Sequence, residues 1–350
     1  MLFGSAEPFN SQALQAQPSM KKEVVIDVND ALLRVENLKK HFPIRSGFMQ
    51  RMTGSVPAVD GVDLAVSSGG TLGLVGESGC GKTTLIRVIL KLLPPDQGSI
   101  VFQHQDVAPL PESQLTFYRR AVQIVFQDPY GSLNPKMTAG ASIEDGLRVR
   151  NVPRSQRPAA IARLLDMVGL PAGSEKRYPH EFSGGQRQRI GLARALSVEP
   201  SLILCDEPIS ALDVSIQAQI INLLRRLQRE LGLSYLFISH DLSVVGYLSD
   251  SVAVMYSGQI VEYASTEAIF TRPLHPYTKL LQAAAPQPGL RQAPLQQAPL
   301  SDEPLRDHSA AGCRFHPRCP QRREACLEHA PPLRDVGPGH QVRCHSISPE

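Results

Sequence analysis

A glycine-rich loop between a strand pattern and a helix pattern constrains this chain more than any other feature. The loop, Gly-Glu-Ser-Gly-Cys-Gly-Lys-Thr at 76–83, fits the spacing G-x-x-x-x-G-K-[ST]. Its first glycine closes the apolar run TLGLVG (71–76). Glycines let consecutive backbone N–H groups converge on a phosphate, and a following helix N-terminus adds positive potential. The sequence therefore predicts phosphate binding here, and the alternative is a glycine-rich turn with an incidental lysine.

The last two residues of this loop predict that the bound phosphate belongs to a nucleotide with Mg²⁺. Lys82 would supply a point charge to the β- and γ-phosphates, and the Thr83 hydroxyl would ligate Mg²⁺. A helix is expected from Thr83 to Leu93, because Pro94 and Pro95 stop it. Cys80 precedes this helix, so its thiol is expected to be acidic and reactive enough for alkylation to block nucleotide binding. Apart from that reactivity, Cys80 and Cys205 are interpreted as small core or loop residues without a redox role.

Apolar runs alternate with helical patterns from Ala31 to about Ser265, which predicts an α/β fold with a central sheet. The runs at 71–76, 201–206, 234–239 and 251–258 suit strands covered on both faces, and 216–231 suits a helix. Residues 129–182 show helical patterns only. We interpret them as a helical subdomain inserted into the sheet domain.

The two ends of the chain differ in composition from its middle. Residues 1–30 hold few large apolar side chains and are interpreted as a disordered leader, with Met20 as an alternative start to Met1. The Pro/Gln-rich stretch 286–300 is typical of a linker. We therefore expect a nucleotide-binding domain over 31–265 and a C-terminal extension over 266–350.

Charge and hydropathy exclude several classes of function. The 36 basic and 33 acidic residues give a net charge of +3, too small to indicate nucleic acid as the main ligand. No run of about 18 apolar residues occurs, and the N-terminus lacks a signal-peptide pattern. Six cysteines in 350 residues do not form a disulfide scaffold. These features predict a cytoplasmic protein.

Two acidic residues follow the apolar run Leu202–Cys205. Asp206, at the end of the predicted strand, would hold Mg²⁺ directly or through water. Glu207 would then be the general base for an attacking water. Strands often end in acidic turns, and that is the alternative. The glycine-rich loop in the same domain favours the catalytic interpretation.

A second phosphate-binding pattern follows about 100 residues after the first. Ser183 is a good N-cap for the helical run after it, and Gly184, Gly185 and Gln186 leave backbone donors exposed at that helix start. Two such patterns in one chain indicate that each nucleotide is held between two subunits. One subunit would contribute the glycine-rich loop and the other would contribute the second pattern. The alternative is an ordinary capped helix.

The order of the motifs resembles ATP-binding-cassette (ABC) ATPases over residues 31–265. The motifs are GESGCGKT, IVFQDP, FSGGQ, LILCDEP, SALD and ISHD. Phe182 stands where many members have leucine, a mild apolar change. QDPYGSLNPKMT (127–138), HPYT (275–278) and CRFHPRCP resemble the ATP-binding subunits of oligopeptide/dipeptide importers, a group that also serves nickel and glutathione.

This resemblance implies roles for further residues. Phe42 would stack on adenine, with a core phenylalanine as the alternative. Gln127 would sense Mg²⁺ and the γ-phosphate, Asp213 would contact the opposing subunit, and His240 would contact the γ-phosphate and orient the water with Glu207. A polar strand end is the alternative for His240. The implied ATP-binding set is Phe42, Gly76, Glu77, Ser78, Gly79, Cys80, Gly81, Lys82, Thr83, Thr84, Ser183, Gly184, Gly185, Gln186 and Asp213, and the Mg²⁺ set is Thr83, Gln127 and Asp206.

The resemblance also implies partners and a location. These are two integral membrane permease subunits, a second ATP-binding subunit in a heterodimer rather than a homodimer, and indirectly an external solute-binding protein, with no nucleic acid. The chain would lie on the cytoplasmic face of the inner membrane and power import of peptides or related solutes. The alternative is a soluble ABC ATPase of DNA repair or translation, although one cassette without sustained heptads disfavours it. A P-loop kinase would lack SGGQ and the acid pair.

Four cysteines in the extension suggest a metal site. Cys313, Cys319, Cys326 and Cys344 have the spacing C-x5-C-x6-C-x17-C. The segment has few apolar residues for a core of its own, and thiolates on a metal would stabilise it. Because the close pairs typical of zinc are absent, a [4Fe-4S] cluster fits at least as well as zinc. The alternative is four loop cysteines without metal.

Overall fold

A computed structural model describes residues 31–46, 51–128, 130–284 and 311–347. The predicted leader 1–30, the linker 286–300 and the choice between Met1 and Met20 fall outside these residues. The described chain divides into two compact units. The first contains Ser68–Thr71 and Leu110–Ser239, and the second contains the described parts of Leu14–Ser67, Leu72–Pro109 and His240–Glu350.

Strands and helices alternate along these ranges. The strands are β1 Ala31–Ser46, β2 Arg51–Ser67, β3 Thr71–Val75, β4 Gln97–Phe102, β5 Gln105–Asp106, β6 Val122–Val125, β7 Leu202–Asp206, β8 Ser234–Ser239, β9 Ser251–Tyr256, β10 Gln259–Ser265, β11 Arg334–Gly337 and β12 His340–Val342. The helices are α1 Lys82–Ile89, α2 Thr116–Ala121, α3 Ala139–Val149, α4 Arg157–Met167, α5 Gly184–Leu196, α6 Val214–Leu231, α7 Leu242–Leu248, α8 Thr266–Thr271, α9 Pro276–Ala284 and α10 Ala325–Glu328.

The first unit has a parallel sheet of β6, β7 and β8. All residues of β7 and β8 are buried, as expected for strands covered on both faces. The amphipathic helix α6 buries Ile220, Leu223, Leu224 and Leu227. Residues 130–182, as far as they are described, contain α3, α4 and short 3-10 turns but no strand. This agrees with the helical pattern of that stretch.

The second unit contains two sheets. In one, β1 pairs with β2 and β4 in antiparallel register, and β5 extends it beyond β4. In the other, β3 is parallel to β9, and the order continues through β10 and β12 to β11. Glu262 on β10 lies opposite Val342 on β12. The C-terminal tail therefore adds two strands to a sheet of this unit.

Four predicted strands are confirmed within one or two residues, but the predicted helix Thr83–Leu93 is wrong at its end. Helix α1 ends at Ile89, five residues before Pro94. Lys91 has φ +58°, and the N–H groups of Leu92 and Leu93 both donate to the Arg87 carbonyl. A left-handed residue followed by such bonds closes a helix without a proline. Within the described ranges, no helix is both long and apolar enough to cross a bilayer.

Candidate active site

The glycine-rich loop connects β3 to α1, and two of its glycines are required by close contacts. Gly81 has φ +111°, and a Cβ there would lie 2.1 Å from the Ala58 carbonyl oxygen. A Cβ on Gly76 would lie 2.2 Å from the Met255 carbonyl oxygen. A side chain at either position would force the backbone to move. The loop therefore packs closely against the backbone of β2 and β9. Ser78 and Gly79, at the tip of the loop, are exposed.

Lys82 is the first residue of α1 and is only 5% exposed. Its Nζ donates to the carbonyl oxygens of Gly76, at 2.7 Å, and of Glu77, at 2.9 Å. The ammonium therefore lies inside the turn of the loop. Thr83, the next residue, is exposed at the helix N-terminus.

Cys80 does not have the acidic thiol that its place before the helix predicts. Burial raises the pKa of Cys80, and the nearby Lys82 ammonium, 3.9 Å from the sulfur, offsets this only in part. Because the thiolate is the reactive form, a raised pKa lowers the reactivity of the thiol at neutral pH. The predicted reactivity is wrong, and burial of Cys80 and Cys205 confirms their interpretation as small packing residues.

The acid pair lies at the carboxyl end of β7. Asp206 is 6% exposed, and Glu207 follows it with φ +46°. A glutamate in this left-handed region costs on the order of 1–3 kcal/mol and persists only where its surroundings hold it. The Glu207 N–H donates to the Ile238 carbonyl at 3.1 Å. The Gln127 Nε2 lies 3.4 Å from Glu207 Oε2, so the structure brings these two predicted residues together.

Helix α5 begins with a reciprocal cap. The Ser183 Oγ accepts from the Gln186 N–H at 3.4 Å, and the Gln186 Oε1 accepts from the Ser183 N–H at 3.1 Å. This is a capping box, which fixes the first turn. A Cβ on Gly185 would lie 2.4 Å from Ile216 Cγ2, so this glycine allows α5 to approach α6. The helix N-terminus is rigid, and Ser183 is exposed.

Side chains of α5 contact the chain on both sides of Gln127, a set of contacts that sequence reasoning missed. The Gln188 Nε2 donates to the Phe126 carbonyl at 3.3 Å, and Arg194 donates to the Ser132 carbonyl. The Arg187 guanidinium lies 3.8 Å from the centroid of the Tyr130 ring, a cation–π contact. Movement of the Gln127 segment would therefore be transmitted directly to the SGGQ helix.

The remaining predicted residues occupy accessible positions. Phe42, on β1 opposite Val56, is 37% exposed, which disagrees with a buried core phenylalanine. The Lys40 Nζ lies 5.9 Å from the centroid of the Phe42 ring. Asp213 is exposed at the start of α6, and His240 is exposed after β8. Their roles in adenine, subunit and γ-phosphate contacts remain predictions.

A buried carboxylate joins the HPYT segment to the tail, and sequence reasoning missed it. Glu262 on β10 accepts hydrogen bonds from the N–H groups of Leu274, at 2.8 Å, and His275, at 2.9 Å. His340 Nε2 on β12 lies 2.8 Å from the same carboxylate. Burial alone would raise the pKa of Glu262, but these hydrogen bonds outweigh it and hold the pKa below its ordinary range.

The burial of His275 predicts that the stability of the protein depends on pH. Burial lowers the pKa of His275 to about 4, from 6.5 in an exposed histidine, and its Nδ1 accepts from the Tyr277 N–H at 3.0 Å. Between pH 6.5 and pH 4, His275 binds a proton in the unfolded chain but stays neutral in the folded chain. Stability is therefore expected to fall as the pH drops from 6.5 towards 4. Urea unfolding at pH 7 and pH 5 measures this change.

The control variants separate His275 from other groups. His275→Gln should show a smaller loss of stability between pH 7 and pH 5, whereas the exposed His180→Gln should keep the full loss. An unchanged pH dependence in His275→Gln would contradict the assignment.

The predicted metal site in the tail is not supported. Cys313, Cys319, Cys326 and Cys344 are free thiols, and burial and then its thiol neighbours raise the pKa of Cys313. Across the described ranges, no three His, Cys, Asp or Glu side chains are arranged to hold a metal ion. Folding of the tail has another source. Strand β12 pairs with β10, and the Phe315 ring is buried against the rings of Tyr256 and Tyr277.

These features define a class of protein. A phosphate loop between β3 and α1, an acid pair at the end of the parallel strand β7 and a capped SGGQ helix are the parts of an ABC ATPase. The comparison with known families agrees. The ABC transporter family matches residues 59–210, and the C-terminal region of oligopeptide/dipeptide transporters matches residues 261–326.

Curated relatives cover nearly the whole chain. A probable peptide ABC transporter ATP-binding protein of Sinorhizobium fredii is 48% identical over 92% of this chain and 92% of its own length. The oligopeptide transport ATP-binding protein AppF of Bacillus subtilis is 47% identical over 91% of this chain and 98% of its own length. The chain therefore belongs to the ATP-binding proteins of peptide ABC transporters, ATPases that work with membrane permease components.

Solved structures give the same fold. One is cbiO1 of Clostridium perfringens, part of the ABC transporter complex cbiONQ, with TM-score 0.59 and 25% identity over 69% of this chain and 92% of that chain. Another is an ATP-binding cassette in a dimeric, post-hydrolysis state bound to ADP and Pi. It has TM-score 0.59 and 26% identity over 67% of this chain and 98% of that chain.

Proposed function

We propose that this chain hydrolyses ATP to power the import of peptides or related small solutes through two integral membrane permease subunits. The observation that carries the proposal is the contact of Gln127 with Glu207 at the end of β7. This contact supports the proposal, because an amide proposed to sense the γ-phosphate lies beside a carboxylate proposed to activate water. The peptide class rests on the names of the curated relatives, several of which are called peptide import proteins.

In this proposal the backbone N–H groups of Gly76–Thr84 bind the phosphates of ATP, Lys82 neutralises the β- and γ-phosphates and Phe42 stacks on the adenine. Mg²⁺ fits the donor set Thr83, Gln127 and Asp206, since hydroxyl, amide and carboxylate oxygens are the ligands it prefers. The ion would neutralise phosphate charge. Glu207 accepts the proton of the attacking water, and His240 holds the γ-phosphate in line.

The second phosphate-binding pattern argues for a dimer. Ser183 is exposed at a fixed helix start, so Ser183–Gln186 can contact the γ-phosphate of ATP held by a partner subunit. Asp213 would contact the same partner. The solved dimeric cassette bound to ADP and Pi is consistent with a shared site. We propose a heterodimer with a second ATP-binding subunit, lying on the cytoplasmic face of the membrane beneath the permease. An external solute-binding protein would deliver the solute.

We propose that a segment of a permease subunit docks in a groove of the first unit. It has a volume of about 630 Å³ and is lined by side chains of α2, α3 and α5, among them Arg119, Arg120, Asp145, Val149 and Arg194. Helix α5 has 13 residues and is about 20 Å long. Ser183 caps one end of it, and Arg194 near the other end lines the groove. A shift of α5 on ATP binding would therefore alter the groove.

Co-purification through detergent tests the proposed partners. The chain should fractionate with integral membrane proteins, and Arg120→Glu should reduce their recovery by about tenfold while ATP binding is kept, because it reverses a charge in the groove. Arg163→Glu is the matched control, an exposed charge reversal on α4 outside the groove. The soluble alternative in DNA repair or translation predicts nucleic acid or ribosomes in the same fractions instead.

A further inference from the structure

The C-terminal tail reaches the phosphate loop through a two-point ion pair. Arg318 Nη1 lies 2.8 Å from Glu77 Oε2, and Arg318 Nη2 lies 2.9 Å from Glu77 Oε1. The two residues are 241 positions apart in the sequence. A parallel pair of N–H···O bonds between arginine and carboxylate fixes the geometry of both groups. Glu77 is the residue that follows the first glycine of the loop.

A second contact holds the same residue through its backbone. The Glu77 N–H donates to the Tyr277 hydroxyl at 2.9 Å. Tyr277 belongs to the HPYT segment, which the Glu262 carboxylate ties to β10. The side chain of Glu77 is therefore held from the tail, and its backbone is held from the HPYT segment. Tyr277 and Arg318 both lie within residues 261–326, which match the C-terminal region of oligopeptide/dipeptide transporters.

Arg318 itself is fixed by a cluster of buried rings. Tyr256, Tyr277 and Phe315 are each 1% exposed, and their ring centroids lie 4.7 to 5.5 Å apart. The Arg318 guanidinium lies 5.8 Å from the Tyr256 centroid and 6.0 Å from the Phe315 centroid. These contacts hold the guanidinium in place beside Glu77. Its side chain is 18% exposed, against 39% for Glu77.

The charge of Glu77 makes this ion pair important for the loop. A carboxylate on a loop that binds a triphosphate repels it, and the repulsion is strong at the short distances within one loop. We infer that Arg318 is a positioning residue that neutralises Glu77 and fixes the phosphate loop, so that the C-terminal tail raises the affinity of the same chain for ATP. This inference rests on the proposed ATP-binding role of Gly76–Thr84.

A double-mutant cycle in the full-length chain tests the inference by equilibrium binding of MgATP. Arg318→Ala should raise the Kd by roughly five- to tenfold, and more at low salt, because the Glu77 charge is left unpaired. Adding Glu77→Gln to Arg318→Ala should restore the Kd to within about twofold of the Glu77→Gln single variant. Arg323→Ala, an exposed arginine of the same tail, should bind as the wild type does.

Turnover in the permease complex gives a second readout. Arg318→Ala should raise KM for ATP with kcat within about twofold of wild type, since Arg318 does not touch the reacting atoms. An unchanged Kd in Arg318→Ala would overturn the inference, as would a defect that persists in full in the double variant. Lys82→Ala tests the proposed function separately. If Lys82→Ala loses ATP binding and Arg318→Ala does not, only the inference fails, whereas unchanged binding in Lys82→Ala contradicts the phosphate-loop assignment itself.

Discussion

Glu207→Gln is expected to abolish steady-state ATP hydrolysis and to leave ATP binding intact. Hydrolysis requires water to attack the γ-phosphorus, with its proton passing to a base while the bond to the ADP oxygen breaks. A glutamine cannot accept that proton, and loss of a general base typically costs 10²–10⁴-fold in rate. The amide keeps the size of the side chain and an oxygen for the contact with Gln127. Phosphate release and equilibrium MgATP binding measure the two effects.

The same variant should accumulate a closed dimer with ATP, because closure proceeds and hydrolysis does not follow. Size-exclusion chromatography with the partner subunit detects this species. Glu230→Gln on the exposed face of α6 is the matched control and should turn over at the wild-type rate. Wild-type phosphate release by Glu207→Gln would show that Glu207 is not the base.

Ser183→Arg is expected to spare ATP binding by the isolated subunit and to stop hydrolysis in the assembled transporter, with a loss of at least about 100-fold. The substitution places a long cation at the helix start that is proposed to meet the γ-phosphate of the partner subunit. Combined with an intact partner, the variant should inactivate the partner's site. Phosphate release by the mixed complex measures this effect.

Loss of the cap alone is a competing explanation, since removing an N-cap serine costs about 1 kcal/mol. Ser265 provides the matched control, because its Oγ caps α8 by accepting from the Ala268 N–H at 3.2 Å and it is also exposed. Ser265→Arg should lose similar stability but keep hydrolysis. Normal turnover by the Ser183→Arg assembly would contradict the shared site.

Local patterns were sufficient to predict much of the fold and the elements that carry the candidate site. Strand β7 and the acid pair at its carboxyl end lie within six consecutive residues, and the cap of α5 lies within four. Apolar runs and capping residues report such short-range structure directly. The end of α1 was predicted wrongly because Pro94 is a visible stop signal, whereas the left-handed Lys91 leaves no mark in the sequence.

Contacts between distant segments could not be predicted in this way. Nothing near Glu77 indicates Arg318, and nothing near Glu262 indicates His340, because pairing of charges far apart in the chain depends on the finished fold. The tail has too few apolar residues for a hydrophobic core of its own, and this is why the sequence predicts a metal there. Its apolar ring Phe315 instead packs onto rings of the preceding elements.

The position of β12 has a consequence for synthesis of the chain. Glu262 and His340 are 78 positions apart, so at about 5–20 residues per second the carboxylate leaves the ribosome roughly 4–16 seconds before its partner. During that interval β10 has an open edge and a buried carboxylate without one of its hydrogen-bond partners. A stop codon between the two residues would leave this edge of β10 without β12 permanently.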